Sequence, residues 1–413
     1  MNPARTIKHR TLAILLSALL LTGCAAPAAA PADQKQESAP IHITGLSQEE
    51  MLEDYEFLWT TLEESYPGWG ILHRMGVETD AIHDEYVELI QSSGDDDIFY
   101  SALYSTMWRM EQVCHLWLVE PQEYGDYATA YAGDKPYWDQ VINNPVSQAS
   151  YPKFLELLEQ TGALEDGTTS VGKEDTANVT ALRLSEDVAY LKINSFQGTM
   201  EADAPVIRSF YQSLGDCGNL IIDLTENSGG SELYWQELLV APLIDQPLSC
   251  TNYALVRRSD NNAPYLDAVF QESELHPIED LPDLPHLSQE DRAFATHYIE
   301  STLSVEPGER APFRGRVWLL VGEAVYSASE SFALFSQQTG FATLVGSTTG
   351  GDGVGALDPV FVVLPNSGLL VRYNMLLGLN ADGTPNQEAG TTPDLLSPAG
   401  EHPLITALRA ILS

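Results

Sequence analysis

The sequence predicts an α/β fold with a helical N-terminal region, and three observations carry that expectation. Beyond about residue 187, apolar runs of strand length alternate with amphipathic stretches, the pattern of β-strand, helix, β-strand units. Before about residue 113, apolar residues recur at helical spacing instead. Two of the later apolar runs end in turns that open a helix, at Asn227-Ser-Gly-Gly230 and Tyr326-Ser-Ala-Ser-Glu330. A chain of 413 residues with 44% hydrophobic composition can bury a large core, divided among about two to three domains.

The first residues belong to none of these. Arg5, Lys8 and Arg10 precede the apolar stretch Thr11–Leu21, and Leu21-Thr-Gly-Cys24 places small residues and a cysteine at a cleavage point. The apolar stretch is shorter than the roughly 20 residues a membrane-spanning helix needs. Residues 1–23 therefore read as a secretory signal. Leu-Thr-Gly-Cys resembles a bacterial lipobox, which implies cleavage before Cys24, lipidation of its sulfur, and a protein exported and anchored to the outer face of a bacterial membrane. Residues 24–44, rich in Ala, Pro, Gln and Ser, read as a flexible tether.

From residue 45 to 112 the pattern is that of a small helical domain. Ser47 and Glu50 form a capping box, after which Met51, Leu52, Tyr55, Leu58, Trp59 and Leu62 line one helical face up to the stop at Pro67-Gly68. Helical spacing returns at Ile82–Ile90 and Ile98–Met110. Residues 113–413 form the α/β core. It opens with mixed sequence holding a helix near Phe154–Leu164 and an acidic loop near Asp166–Thr176. Strands follow at Val188–Ile193, Asn219–Leu224, Arg316–Gly322, Ala342–Gly346, Val360–Leu364 and Leu369–Tyr373, with helices near Ile207–Leu214, after Gly230 and after Ser327. Residues 260–312, rich in Pro, Asp and Glu, read as an insertion, and no internal repeat is visible.

The formal charge of −39 makes nucleic acid and anionic headgroups poor partners. Cys114, Cys217 and Cys250 remain after Cys24, an odd number, so a disulfide framework does not organise the fold, and pairing of Cys217 with Cys250 stays open. There is no His-Glu-x-x-His, paired Cys-x-x-Cys or phosphate loop, so neither a metal nor another cofactor is expected.

The two strand-to-helix turns hold the candidate chemistry. Ser327 with Glu330 three residues later is a capping box by sequence, and a serine there can also be a nucleophile beside free helix amides. Asp223-Leu-Thr-Glu-Asn-Ser-Gly-Gly230 follows an apolar strand, and its glycines either make a tight turn or bring backbone N–H groups close to a reacting carbonyl.

Taken in order, "YLKINSF", "LIIDLTENSGGS", "VYSASES", "LVGSTTGGDGVG" and "NQEAGTTPD" resemble the tail-specific, or carboxyl-terminal processing, family of serine peptidases over most of residues 45–413. The resemblance implies a superhelical α/β core similar to crotonase and the Clp protease. It also implies peptide or unfolded-protein substrates and a catalytic serine at Ser327. In the commoner branch a lysine base follows in a Gly-Lys-Gly pattern, but this chain has Gly351-Asp-Gly353 there, and an aspartate cannot act as that amine.

The other branch, similar to the tricorn core and to interphotoreceptor retinoid-binding modules, uses a histidine. It implies His115, in Gln112-Val-Cys-His-Leu116, as general base, Cys114 at a base-orienting position, and Glu388, in Gln387-Glu-Ala-Gly-Thr-Thr-Pro-Asp394, as the carboxylate that fixes the imidazole. The amides of Ala328 and of Gly229 or Gly230 would form the oxyanion hole. Longer members carry a PDZ domain; residues 115–188 show too little strand pattern for one. Two other readings share the same residues: a catalytically silent binding module for an apolar ligand or peptide, and an esterase.

Overall fold

The computed structural model describes residues 41–133, 135–163, 177–197, 200–355 and 357–413. The expected signal segment, Cys24, most of the tether and the acidic loop at 166–176 lie outside the described residues. Helix α1 (Gln48–Ser65) starts at the capping box read from sequence, with Ser47 and Glu50 bonded reciprocally. It buries Met51, Tyr55, Leu58, Trp59 and Leu62, the apolar stripe that spacing predicts. Helices α2 (Trp69–Met75), α3 (Thr79–Ser93) and α4 (Asp96–Arg109) complete the helical region. α2 and α3 end at Gly76 and Gly94, both in the left-handed conformation that favours glycine at a C-cap. Buried Asp96 ties the start of α4 to the N-terminal segment by accepting from the Ile43 and Thr44 amides.

The central sheet has six strands. β2 (Val179–Arg183), β3 (Val188–Ile193), β4 (Asn219–Asp223), β8 (Arg316–Val321), β9 (Thr343–Gly346) and β13 (Leu395–Leu396) lie in the order β13-β9-β8-β4-β3-β2. All neighbours are parallel except β2 and β3. The helices Met200–Gln212 and Ala328–Thr339 are the β3–β4 and β8–β9 crossovers. The inner strands are apolar at their centres, Leu220–Ile222 and Val317–Val321, because helices cover both faces. Each wholly buried leucine or isoleucine, such as Leu319, Leu320 and Ile222, contributes about 1.5–3 kcal/mol of transfer free energy.

Two antiparallel sheets stand beside this core. One is β1 (Trp117–Leu118), β11 (Leu370–Tyr373) and β10 (Val360–Val363). The other runs β12 (Leu376–Leu379), β5 (Leu248–Val256), β7 (His297–Val305) and β6 (His276–Pro277). The segment 260–312 thus supplies β6 and β7, and β7 pairs with β5 along nine residues. One hydrophobic cluster runs from Met51, Leu58 and Leu103 of the helices to Val371, Tyr373 and Leu377 of the late strands. That shared core fixes the end of α4 against β11 and sets the position of the loop between α4 and β1. No helix among the described residues is long and apolar enough to cross a membrane.

Candidate active site

Ser327 stands between β8 and the helix Ala328–Thr339 with φ 57° and ψ −126°. A non-glycine residue there is strained by about 1–3 kcal/mol and persists only where its surroundings over-determine it. Those surroundings are visible. The Ser327 amide donates to the Gly351 carbonyl (3.1 Å), and the Gly350 amide to the Val325 carbonyl (2.7 Å), so the turn is zipped to the Gly350–Gly353 loop. Ser329 Oγ accepts from the Tyr326 amide and donates to the Asn227 carbonyl (2.6 Å), stapling the turn to the Asn227–Gly230 loop.

The capping box expected at Ser327 does not form. Its side chain caps no amide, and Glu330 is instead wholly buried, accepting from Thr391 Oγ1 (2.6 Å) and Asn386 Nδ2 (2.9 Å). The positive φ turns Ser327 out of capping geometry, and burial raises the Glu330 carboxyl above the usual range. The Ser327 side chain is thereby left free of the helix.

The Ala328 amide opens the helix and has no hydrogen-bond partner among the described residues. Gly229 is packed against it: a Cβ on Gly229 would lie 3.0 Å from the Ala328 nitrogen and 2.7 Å from the Tyr326 carbonyl oxygen. Of the two glycines, Gly229 already donates its amide to Asn227 Oδ1 (2.9 Å). Gly230, at φ 134° and bridged to Phe196, keeps its amide without a partner among the described residues and lines the cleft with Ser327. The pair of free donors is therefore Gly230 and Ala328.

His115 lies in the loop between α4 and β1, where Glu111, Gln112, Cys114 and His115 all have positive φ between 49° and 54°. Four left-handed non-glycine residues in five need external support. It comes from Tyr66 Oη on the Val113 carbonyl (2.6 Å), the Asn374 amide on the Cys114 carbonyl (2.8 Å) and Gln387 Oε1 on the Cys114 amide (3.2 Å). The imidazole stacks near Tyr326 and Trp117, with ring centres 4.9 and 5.2 Å away.

Its Nδ1 lies 2.5 Å from Oδ2 of Asp352, a carboxylate only 3% exposed. The same oxygen receives Asn374 Nδ2 (3.0 Å) and lies 3.1 Å from Tyr326 Oη. A carboxylate on Nδ1 fixes the tautomer with that nitrogen protonated and leaves Nε2 as the proton acceptor.

Glu388, expected to orient the imidazole, is held elsewhere. It forms a forked ion pair with Arg74, Nη2 to Oε2 at 2.8 Å and Nε to Oε2 at 3.0 Å, beside buried Asp291. The short helix Asn386–Ala389 turns Gln387 toward the base and Glu388 away from it, Gln387 accepting at 2.8 Å from Tyr326 Oη. Cys114 places backbone and not its thiol on this network. Its sulfur is buried without a bond to His115, and burial, then the charge of Asp352, pushes the thiol well above its usual range. Cys114, Cys217 and Cys250 are all buried and free. Asp352 stands in the sequence between two glycines where the commoner branch has its lysine, a place that signals a base and not a partner for a histidine.

Ser327, His115, Gly230, Ser228 and Tyr326 line one cleft of about 590 Å³, continued by Trp117, Gln197, Glu120, Glu123, Tyr127 and Arg372. Glu232, two residues past Gly230, ties the glycine loop to the serine helix by accepting from Ser331 Oγ (3.1 Å) and Trp235 Nε1 (2.8 Å). Its other oxygen is buried without a donor, and burial raises the carboxyl to about 7. Among the described residues no group of three or more His, Cys, Asp or Glu side chains could hold a metal ion.

A family model of peptidase family S41 matches residues 187–397, just over half of the chain. Among solved structures, a protein from Parabacteroides merdae described as a peptidase superposes with a TM-score of 0.55 at 17% identity, covering 89% of this chain and 98% of its own. Mature CPAF superposes with a TM-score of 0.50 at 14% identity, covering 84% of this chain and 92% of its own. At these identities the two structures speak to the shared fold.

Proposed function

The chain belongs to peptidase family S41, and on that premise we propose that Ser327 is the nucleophile of its peptide hydrolysis, with His115 as general base and Asp352 as the residue that orients it. The protein is a serine-type peptidase acting on peptide or protein substrates. In the proposed cycle His115 Nε2 takes the Ser327 proton as Oγ attacks the scissile carbonyl, then returns it to the leaving amine. Asp352 keeps Nδ1 protonated and stabilises the imidazolium that forms. The Gly230 and Ala328 amides receive the oxyanion, where one donor is typically worth about 10²–10³ in rate. Water then repeats the attack on the acyl-enzyme. The observation that carries this reading is the buried Asp352 carboxylate on Nδ1 of a histidine that shares a cleft with a strained serine.

The test uses a soluble form beginning at Ile41 and its Ser327→Ala variant, each incubated with an unfolded protein, the fragments being read by mass spectrometry. Fragments that appear only with Ser327 are expected. Equal cutting by both, or by neither, would remove Ser327 from the role, and cleavage confined to small acyl esters would make the enzyme an esterase.

The leader and Leu21-Thr-Gly-Cys24 support export and lipid anchoring through Cys24. Metabolic labelling with a fatty acid tests this: label is expected on the full chain and lost in Cys24→Ala, and label that persists in the variant would contradict it.

A further inference from the structure

Arg372 stands in the cleft among aromatic rings. Of the other arginines, Arg74, Arg109, Arg258, Arg310 and Arg409 each sit on a carboxylate, and Arg183, Arg257, Arg292 and Arg314 donate to backbone carbonyls. Arg372 lines the cleft yet has no carboxylate within ion-pair distance among the described residues. Its guanidinium carbon lies 4.4 Å from the centre of the Trp117 ring and 5.9 Å from that of Tyr127. Nη1 donates to Tyr127 Oη at 2.8 Å, and Nε is buried with no acceptor.

Aromatic faces hold an arginine in place but satisfy none of its N–H groups. Nη2 has no acceptor among the described residues, and a carboxylate approaching the Nη1–Nη2 end of the guanidinium in its plane forms two parallel charge-assisted bonds. The nearest acids in the cleft do not serve. The Glu120 carboxyl is raised by burial and by Glu123, and it accepts from Gln122 Nε2.

The position is also tied to the chemistry. β1 pairs with β11 so that Trp117 lies directly across from Arg372, two residues after His115. Two residues of chain span at most about 7 Å, so a group held by Arg372 belongs to a substrate residue within about two positions of the scissile bond.

We propose that Arg372 is a specificity-determining residue of this cleft, reading a carboxylate on the substrate peptide. This rests on the reading of the cleft as the peptidase site. An Asp or Glu side chain and a free C-terminus supply the same chemistry. Glu120 and Glu123 on the same cleft disfavour that anion on their side and so give the bound peptide a direction.

The test is a set of quenched fluorescent peptides in which a single Glu, each with a Gln match, is moved across the positions flanking the cut. Matched free-acid and amide C-termini are added. kcat/KM is measured for the unmodified protein, Arg372→Gln and Arg372→Lys, with a thermal melt to establish folding. The unmodified protein is expected to favour one carboxylate series by about tenfold or more, and that series identifies the source. Arg372→Gln is expected to lose at least tenfold more on the carboxylate peptide than on its match, and Arg372→Lys to keep part of the preference because the charge remains without the fork.

Equal handling of acidic and neutral matches by the unmodified protein, or a preference that survives in Arg372→Gln, overturns the proposal. If no peptide is cut, the same pairs are bound to Ser327→Ala and to Ser327→Ala with Arg372→Gln and followed by fluorescence anisotropy. A carboxylate preference lost with Arg372 supports the proposal while sinking the catalytic reading. No preference in binding overturns it.

Discussion

The serine side and the base side of the cleft are built by different means. Ser327 and its two amides stand on turns that follow adjacent parallel strands, β4 and β8, each turn continuous in sequence with its strand. His115 and Asp352 are 237 residues apart and meet only because Tyr66, Asn374 and Gln387, from three further places in the chain, hold the loop at 111–115 in a left-handed path. The first side is built at two adjacent strand ends pinned by the loop at 350–353, and its strain is confined to one non-glycine residue. The second side is non-local and strained over several. Its geometry therefore depends on the packing of the helical region against the late strands, and damage to that packing reaches His115 before it reaches Ser327.

Substitutions at the reacting atoms give the largest effects and hit both sides equally. Ser327→Ala or His115→Ala is expected to lower kcat by about 10⁴–10⁶, with the double variant no worse than either single one, since groups that act as a unit are not additive. A double variant distinctly slower than both would show that the two residues work apart.

Asn227→Ala separates the sides next. Asn227 is wholly buried, accepts the Gly229 amide and bonds the Ile193 carbonyl, so it holds the oxyanion loop and touches nothing on the base side. A fall of about 10–10² in kcat with a smaller change in KM is expected, less than the roughly 10²–10³ for outright removal of an oxyanion donor because the loop is displaced and the donors remain. Tyr326→Phe probes the other side more gently. Asp352 Oδ2 still receives His115 and Asn374, so a fall of no more than about tenfold in kcat is expected.

The smallest effect lies in stability. Burial raises the Glu232 carboxyl to about 7, so the fold favours its neutral form. Its stabilising share is complete below the ordinary glutamate range and is lost as pH rises through 7. Urea unfolding of Glu232→Gln is expected to match the unmodified protein near pH 4.5 and to exceed it above pH 7, by about 3 kcal/mol at most. A difference that does not change with pH would place the charge elsewhere.

Legibility in the sequence followed the same division. The central strands at 188–193, 219–223 and 316–321, the helices around them and the Asn227–Gly230 and Tyr326–Glu330 turns were readable because each is a short contiguous pattern. β5 and β7 are hidden because their polar, alternating residues gain strand structure from partners distant in sequence, above all each other. The sequence points to Glu388 and not to Asp352 because nothing local tells which way adjacent side chains of a four-residue helix point. The missing capping box at Ser327 has the same origin: Ser-x-x-Glu specifies a cap only if the backbone enters the helix unstrained, and here the loop at 350–353 dictates otherwise.

The assignment of Asp352, and not Glu388, to the base is the central claim, and kcat/KM for Asp352→Asn beside Glu388→Gln tests it most directly. The account predicts a fall of about 10³–10⁴ for Asp352→Asn through the wrong imidazole tautomer. It predicts a change within a few-fold for Glu388→Gln, whose ion pair with Arg74 is partly exposed. Near-normal activity in Asp352→Asn together with an inactive, folded Glu388→Gln would contradict it and return the role to Glu388.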